Sequence, residues 1–278
     1  NGYDVVLVPI RTHGDSVQTA PIGTIGGQGV FTKEIQAARL DGRADLAVHS
    51  LKDLPTDPVP GLRLAAVPER GPVADVLVAG KAVSLKKLPS GAVVGTGSLR
   101  RRAQLLYHRP DLQIAGIRGN VDTRLRKLDE GQFDAIVLAE AGMIRLGLAS
   151  RMTQSIPMDI MLPAVGQGAL AIETRNDNRE ALEAAAALDD AESHAAVVAE
   201  RAMLAALHGG CLAPIAAHAA VHANRLTLHG RVIQVEGARM VETACTASPE
   251  DAVSLGRQVA EALLKQGAEE LIRETRRR

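Results

Sequence analysis

Aromatic side chains are nearly missing from this sequence: they make up 1% of 278 residues, and tryptophan is absent. The cores must therefore be built from Ala, Val, Leu and Ile, and a nucleic-acid surface that stacks bases on aromatic rings is disfavoured. Cysteine is scarce as well. Cys211 and Cys245 are too few for a disulfide framework, which points to a reducing, cytoplasmic compartment. No apolar run approaches the roughly 20 residues of a membrane-spanning helix, and no secretory leader is visible. Net charge is also absent. Lys plus Arg and Asp plus Glu each number 32, so bulk electrostatics favour neither nucleic acid nor membrane as a partner. The histidines form no ligand pattern: His218 and His222 share a strand-like segment without a Cys or carboxylate cluster, and no metal is expected.

What is present is a globular chain, 46% hydrophobic, long enough for two or three domains. Its charge is unevenly distributed. Between Val94 and Lys127 lie Arg100, Arg101, Arg102, Arg109, Arg118, Arg124 and Arg126, against only Asp111 and Asp122. Ser98 reads as a helix N-cap, accepting from the orphan N–H groups of the first turn. Arg100 and Arg101 then sit at the positive end of the helix dipole, where a cation is disfavoured. A docked anion reverses that penalty, with guanidinium forks on carboxylate or phosphate. The ordinary alternative is a solvated basic helix face. The Gly95-Thr96-Gly97-Ser98 entry argues against it, because such a turn exposes backbone N–H groups to a ligand.

The pattern along the chain alternates strand and helix. Val5–Ile10 is expected as a buried strand, 11–29 as a Gly-rich loop lacking the spacing and Lys of a P-loop, and Phe31–Leu40 as a helix. Ala44–Val48 is the next strand, leading into His49-Ser50-Leu51-Lys52-Asp53-Leu54-Pro55. Polar residues just beyond a strand's C-terminal end are where open α/β sheets bind ligands. Asp53 there reads as a positioned acid or an ordinary loop salt bridge, and His49 as a packed, hydrogen-bonded residue before a base. Further strands are expected at 62–67, 76–78, 92–94, 112–117 and 133–138. Helices are expected at 98–108, at 121–130 capped by Asn120, and at 142–146. This spacing signals a parallel, doubly wound sheet. Two Ala-rich helices follow, at 179–187 and 191–207, the second stopped by Gly209 at its C′ position. Strands at 215–221, 226–232 and 240–244 and one long helix from Pro249 to Arg273 make a separate α+β unit. The chain opens at Asn1 directly before a strand-like run, so an N-terminal strand and helix are expected ahead of it.

Four separated blocks then agree: Val48–Pro55, Gly95–Arg101, Leu162–Ala169 and the Gly209-Gly210-Cys211-Leu212-Ala213-Pro214 run, with Ile117–Leu125 between them. In these blocks the sequence resembles the hydroxymethylbilane synthase (porphobilinogen deaminase) family over nearly its whole length. The resemblance implies an α/β fold of two doubly wound lobes like those of type II periplasmic binding proteins, plus a small C-terminal α+β domain. Residues 1–68 and 167–188 would form the first lobe, 69–166 the Arg-rich second, and 189–278 the third domain. It implies a transferase that condenses four porphobilinogen molecules head to tail, with loss of ammonia, into a linear tetrapyrrole. The family works as a monomer without nucleic acid or membrane, and its cofactor is a dipyrromethane held through a thioether, here on Cys211.

The family's site carries over residue by residue. Asp53 is implied as the catalytic carboxyl, with Lys52 beside it. Ser50, Thr96, Ser98, Arg100, Arg101 and Arg118 are implied around the cofactor, and Arg124, Arg145, Gln167 and Phe31 around the substrate. Each pyrrole brings an acetate and a propionate, which suits the planar, permanently charged arginine fork. Porphobilinogen loses ammonia to give an electrophilic azafulvenium, and a carboxyl beside the pyrrole nitrogens stabilises that cation. Three features depart from the family. Its N-terminal Arg-x-Ser has no match here, Thr24 and Gln28 stand where loop lysines are common, and Gly97 replaces a common Ser. A non-catalytic anion-binding module is the rival reading, but it leaves the Gly-Gly-Cys context and the third domain unexplained.

Overall fold

The computed structural model describes residues 4–12, 32–81, 84–208 and 213–276. Among them, three sheets organise the chain. Strands β1 (Leu46–Ser50), β2 (Leu62–Ala66) and β8 (Leu170–Arg175) form the first, in the order β1-β8-β2 with both pairings antiparallel. Alternation explains its two faces: Ala47 and His49 point inward from β1, while Leu46, Val48 and Ser50 point outward. Helix α1 (Lys33–Leu40) covers the inner face.

The second sheet contains β3 (Asp75–Ala79), β4 (Val93–Gly95), β5 (Gln113–Ala115), β6 (Ala135–Ala139) and β7 (Gln154–Ile156), ordered β5-β4-β6-β3-β7. The parallel pairing expected from the strand–helix alternation holds for β4 with β5 and β6. β3 instead runs antiparallel to both β6 and β7. The reason is connectivity: β3 enters from the first sheet rather than through a helical crossover. Helices α2 (Leu99–His108) and α3 (Val121–Asp129) begin where the caps predicted. The Ser98 hydroxyl accepts from the Arg101 amide, and the Asn120 side chain accepts from the Thr123 amide at 2.9 Å. A short helix α4 (Glu140–Arg145) follows β6.

Helices α5 (Arg179–Ala186) and α6 (Ala191–Ala206) lead to the third sheet, an antiparallel meander of β9 (Ile215–His222), β10 (Arg225–Ile233) and β11 (Met240–Ala247). Its core is aliphatic, as the scarcity of aromatics required, with Leu226, Leu228 and Val232 packed against Met203, Val259 and Leu263.

Four sequence expectations need correction. Residues 4–12 form no strand, and Val5, Val6 and Leu7 are more than three-quarters exposed, because no strand among the described residues pairs with them. The long C-terminal helix is two, α7 (Ala252–Lys265) and α8 (Ala268–Arg276), broken at Gly267 with φ +96°. Strand β7 was not anticipated. The C′ position of α6 belongs to His208, with φ 49°, so a histidine rather than a glycine takes the left-handed turn.

The chain crosses between the first two sheets twice, and the crossings touch. The Gly71 amide donates to the Gly168 carbonyl at 3.2 Å. Gly168 has φ +85°, and a Cβ there would lie 2.6 Å from the Gly71 oxygen, so only glycine fits this contact.

Candidate active site

The two sequence clusters meet at this crossing. Lys52 and Asp53 lie in a single 3-10 turn that closes β1, held by the Leu54 amide donating to the Leu51 carbonyl at 3.1 Å. Buried Leu51 and Leu54 anchor that turn, leaving the two polar side chains directed away from the core. Burial pushes the Lys52 ammonium below its ordinary pKa, and Arg101 pushes the same way; Asp53 and Asp75 oppose them, and Arg100 adds a smaller push. Burial also pushes the Asp53 carboxyl up, against the opposing pull of Lys52 and His49. Asp53 keeps an exposed edge, so water still reaches a carboxyl that is otherwise surrounded by protein.

Arg100 and Arg101 reach this site from the first turn of α2, and both are buried. Their partner is internal. Arg100 Nη1 donates to Asp75 Oδ2 at 2.7 Å and to the Leu162 carbonyl at 2.7 Å; Arg101 Nε donates to Asp75 Oδ1 at 2.9 Å and its Nη1 to the Val137 carbonyl at 2.9 Å. Gln167 Nε2 also donates to Asp75 Oδ1, at 3.1 Å, and to the Val73 carbonyl at 2.7 Å. Burial alone would push the Asp75 carboxyl up, but the two guanidiniums outweigh it and hold it at about 2. One carboxylate thus faces two guanidiniums, leaving the trio with an excess positive charge.

Arg124 adds to that excess. Its Nε donates to the Gly119 carbonyl at 2.7 Å. Burial disfavours its charge, and Arg101 and Arg118 disfavour it further, so Arg124 feels both of these guanidiniums. Thr96 and Ser98 shape the turn: the Thr96 hydroxyl accepts from the Ser98 amide at 3.2 Å. Ser50 is the exposed last residue of β1, directly before the Lys52–Asp53 turn. Arg145 stands apart on the exposed end of α4, with no hydrogen bond or ion pair to the cluster among the described residues. Gln167 is 1% exposed, so in this structure its amide braces the crossing instead of facing the cleft. Phe31 and Cys211 lie outside the described residues, as do Thr24 and Gln28.

A clustered set of cations with one internal carboxylate is a receptor for a polyanion. The family comparison identifies which one. Residues 1–183 match the model of the "Porphobilinogen deaminase, dipyromethane cofactor binding domain", and residues 194–265 match the "Porphobilinogen deaminase, C-terminal domain". The chain belongs to the porphobilinogen deaminase family. The porphobilinogen deaminase of Syntrophotalea carbinolica is 48% identical over 271 residues, covering 98% of this chain and 86% of that protein. That of Pelotomaculum thermopropionicum is 48% identical over 275 residues, covering 99% and 88%. A periplasmic substrate-binding protein of an ABC transporter from Coxiella burnetii is similar at 18% identity and a TM-score of 0.39, over 62% of this chain and 80% of that one.

As a member of that family the chain has dipyrromethane as its cofactor. The residues present fit that group. Arg101 and Arg118 both disfavour the charge of Arg124 in a partly desolvated site, and Arg100 Nε is a buried donor with no partner among the described residues. The carboxylate side chains of a dipyrromethane would suit these donors as acceptors.

Sequence reasoning missed several residues of this chain. Asp75 is one, because nothing in Ala74-Asp75-Val76 marks it. Arg102 and Arg109 gain no role from the family blocks. Yet Arg102 pairs with Glu236 of the third unit, and Arg109 donates to the Leu85 and Leu88 carbonyls as well as pairing with Asp111. His49 matches the packed reading: it is buried beside Glu173, which also pairs with Arg39 and accepts from Gln36. No group of three or more His, Cys, Asp or Glu among the described residues could hold a metal ion, and no helix is long and apolar enough to cross a membrane.

Proposed function

We propose that this chain joins four porphobilinogen molecules head to tail, releasing ammonia, into a linear tetrapyrrole, and that Asp53 is its catalytic carboxyl. Family membership makes it an enzyme of tetrapyrrole biosynthesis that acts on porphobilinogen. The observation that carries the assignment of roles is the meeting of the Lys52–Asp53 turn with Arg100, Arg101, Arg118 and Arg124 in one electrostatic cluster.

The arginines hold acetate and propionate groups and so fix the register of the rings, while Ser50 at the end of β1 and Thr96 and Ser98 in the turn before α2 offer short polar contacts. Asp53 accepts or returns the pyrrole N–H proton and stabilises the positive charge that develops on the substrate as ammonia departs. Partial burial suits this role, because a carboxylate acts more strongly where water is thinned. Lys52, with its charge disfavoured by burial and by Arg101, moves a proton more readily than a solvated lysine. The dipyrromethane, tethered through Cys211, supplies the free pyrrole α-position on which the chain is extended. Arg145 and Phe31 complete the proposed substrate contacts, and Gln167 acts behind them by bracing the crossing.

The three sheets, each with its own core, support a division into residues 1–68 with 167–188, 69–166, and 189–278. The enzyme is proposed to act as a cytoplasmic monomer. A non-catalytic anion-binding module would have no use for a partly buried acid beside the arginines. Asp53→Asn is the decisive variant: it should keep the fold and a two-pyrrole increment in intact mass, with Cys211→Ser as the increment-free control, while turnover of porphobilinogen nearly stops. Wild-type turnover in Asp53→Asn would refute the assigned role.

A further inference from the structure

We infer that Arg201 is a positioning residue for the reaction, fixing the backbone that carries Asp53; this rests on the reading of Asp53 as the catalytic carboxyl. Arg201 lies on α6 and reaches across to the first sheet's unit. Its Nη1 donates to the Leu54 carbonyl at 2.9 Å and its Nη2 to the Pro55 carbonyl at 2.6 Å. These are the carbonyls of the two residues that directly follow Asp53.

The choice of residue is informative. Burial disfavours the guanidinium charge, which Glu173 supports from a distance, and among the described residues Arg201 forms no ion pair. A largely desolvated cation with only carbonyl partners is a costly way to fill space, since an apolar side chain would pack as well beside Val197, Leu51 and Leu54. A planar fork does something no apolar side chain can: it holds two successive carbonyls in fixed orientation. The Asp53 turn needs that support. Its own closure is the single bond from the Leu54 amide to the Leu51 carbonyl, and Pro55 has no N–H with which to add another.

The helix carrying the fork is itself pinned. Glu200, the preceding residue, accepts from the Gly166 amide at 2.7 Å and from Arg70 Nη1 at 2.7 Å. Adjacent side chains of α6 therefore grip the domain crossing and the Asp53 turn, and Arg201 transmits the position of the one to the other. A carboxyl displaced by about 1 Å loses on the order of 100-fold in rate without losing substrate affinity.

The test uses the full-length enzyme carrying its cofactor, as Arg201→Gln and Arg201→Lys, with Asp53→Asn alongside. In Arg201→Gln the two-pyrrole mass increment should remain and KM should stay within about 2-fold, while kcat falls about 10-fold or more. Hydrogen exchange should quicken in the segment 51–57 while α6 keeps its protection. Arg201→Lys, which retains the charge and one carbonyl contact, should give a kcat between those of wild type and Arg201→Gln. Wild-type kcat in a folded Arg201→Gln protein overturns the inference. So does a loss of rate that merely tracks the folded fraction, with exchange raised throughout. If Arg201→Gln does not fold, Arg201→Lys decides: reduced kcat at unchanged KM supports the role, and unchanged kcat overturns it. Wild-type turnover in Asp53→Asn would instead overturn the reading beneath it, so the two failures are distinct.

Discussion

Asp75 is wholly buried between two guanidiniums and a glutamine amide, and this arrangement makes it an acid-sensitive clamp. Burial pushes its carboxyl up, but Arg100 and Arg101 prevail and set it at about 2, below the ordinary 3.8. A depressed folded-state value means the stabilisation is fully present above about pH 4 and is lost as pH falls toward 2. That component is worth about 2 kcal/mol. Asp75→Asn should therefore cost about 3–5 kcal/mol at pH 7, because it leaves two buried cations facing a neutral amide. In denaturant titrations the gap between wild type and variant should narrow by about 2 kcal/mol between pH 7 and pH 2, and a pH-independent gap would refute the clamp. Asp75 also shows where the sequence stops being legible. Ser98 and Asn120 could be read as caps because a cap's partner lies three residues away. Arg100 could be placed on its helix for the same local reason, yet its carboxylate partner lies 25 residues upstream, in a stretch no local rule marks. The anion-facing reading of both arginines came from the helix N-terminus and was narrowed by the family blocks, and their internal partner came only from the fold.

Helix boundaries divide along the same line. The aliphatic stripe from Ala252 onward looks continuous through Leu263, Leu264, Leu271 and Ile272, so one helix was expected. Gly267 breaks it, and Arg239 secures the break by donating to the Gln266 carbonyl at 3.1 Å while pairing with Glu270. A Cβ at Gly267 would lie 2.7 Å from Arg239 Nη2, at a backbone φ of +96°. Gly267→Ala should thus lower stability by about 1–2 kcal/mol, as read by thermal or urea unfolding, with porphobilinogen turnover unchanged at a temperature where the protein is folded. An increase in stability, the usual result of Gly→Ala within a helix, would mean that the break is not imposed by this glycine. Strands were less legible than helices because pairing is non-local. Gln154-Ser155-Ile156 becomes β7 only because β3 offers it a partner, and Val5–Ile10, the stronger β pattern, finds none among the described residues. Composition cannot supply a neighbour.

The molecule is held together where its three sheets converge, and Arg70 and Glu200 form the joint. Arg70 sits on the first crossing. It pairs with Glu200 through both Nη atoms, at 2.7 and 3.1 Å, and donates from Nε to the Gln167 carbonyl of the second crossing at 3.0 Å and from its amide to the Ser193 hydroxyl at 3.0 Å. Glu200 in turn accepts from the Ala219 amide of β9 at 2.8 Å and from the Gly166 amide. A fully buried carboxylate with four donors is satisfied only while every one of these units stays docked. Removing one partner strands a buried charge, so Glu200→Leu should cost about 3–5 kcal/mol, and Arg70→Met a similar amount. Replacing both at once removes the stranded charge, and the double variant Arg70→Met with Glu200→Leu should recover much of the loss, giving a coupling energy of about 2 kcal/mol or more in a double-mutant cycle. The readout that distinguishes a joint from a mere stabiliser is cooperativity. Each single variant should broaden urea unfolding or split it, with hydrogen exchange rising first in α6 and β9 while β4 and β6 keep their protection. A single, uniformly shifted transition in both single variants, with additive energies in the double, would mean that the three units are coupled elsewhere.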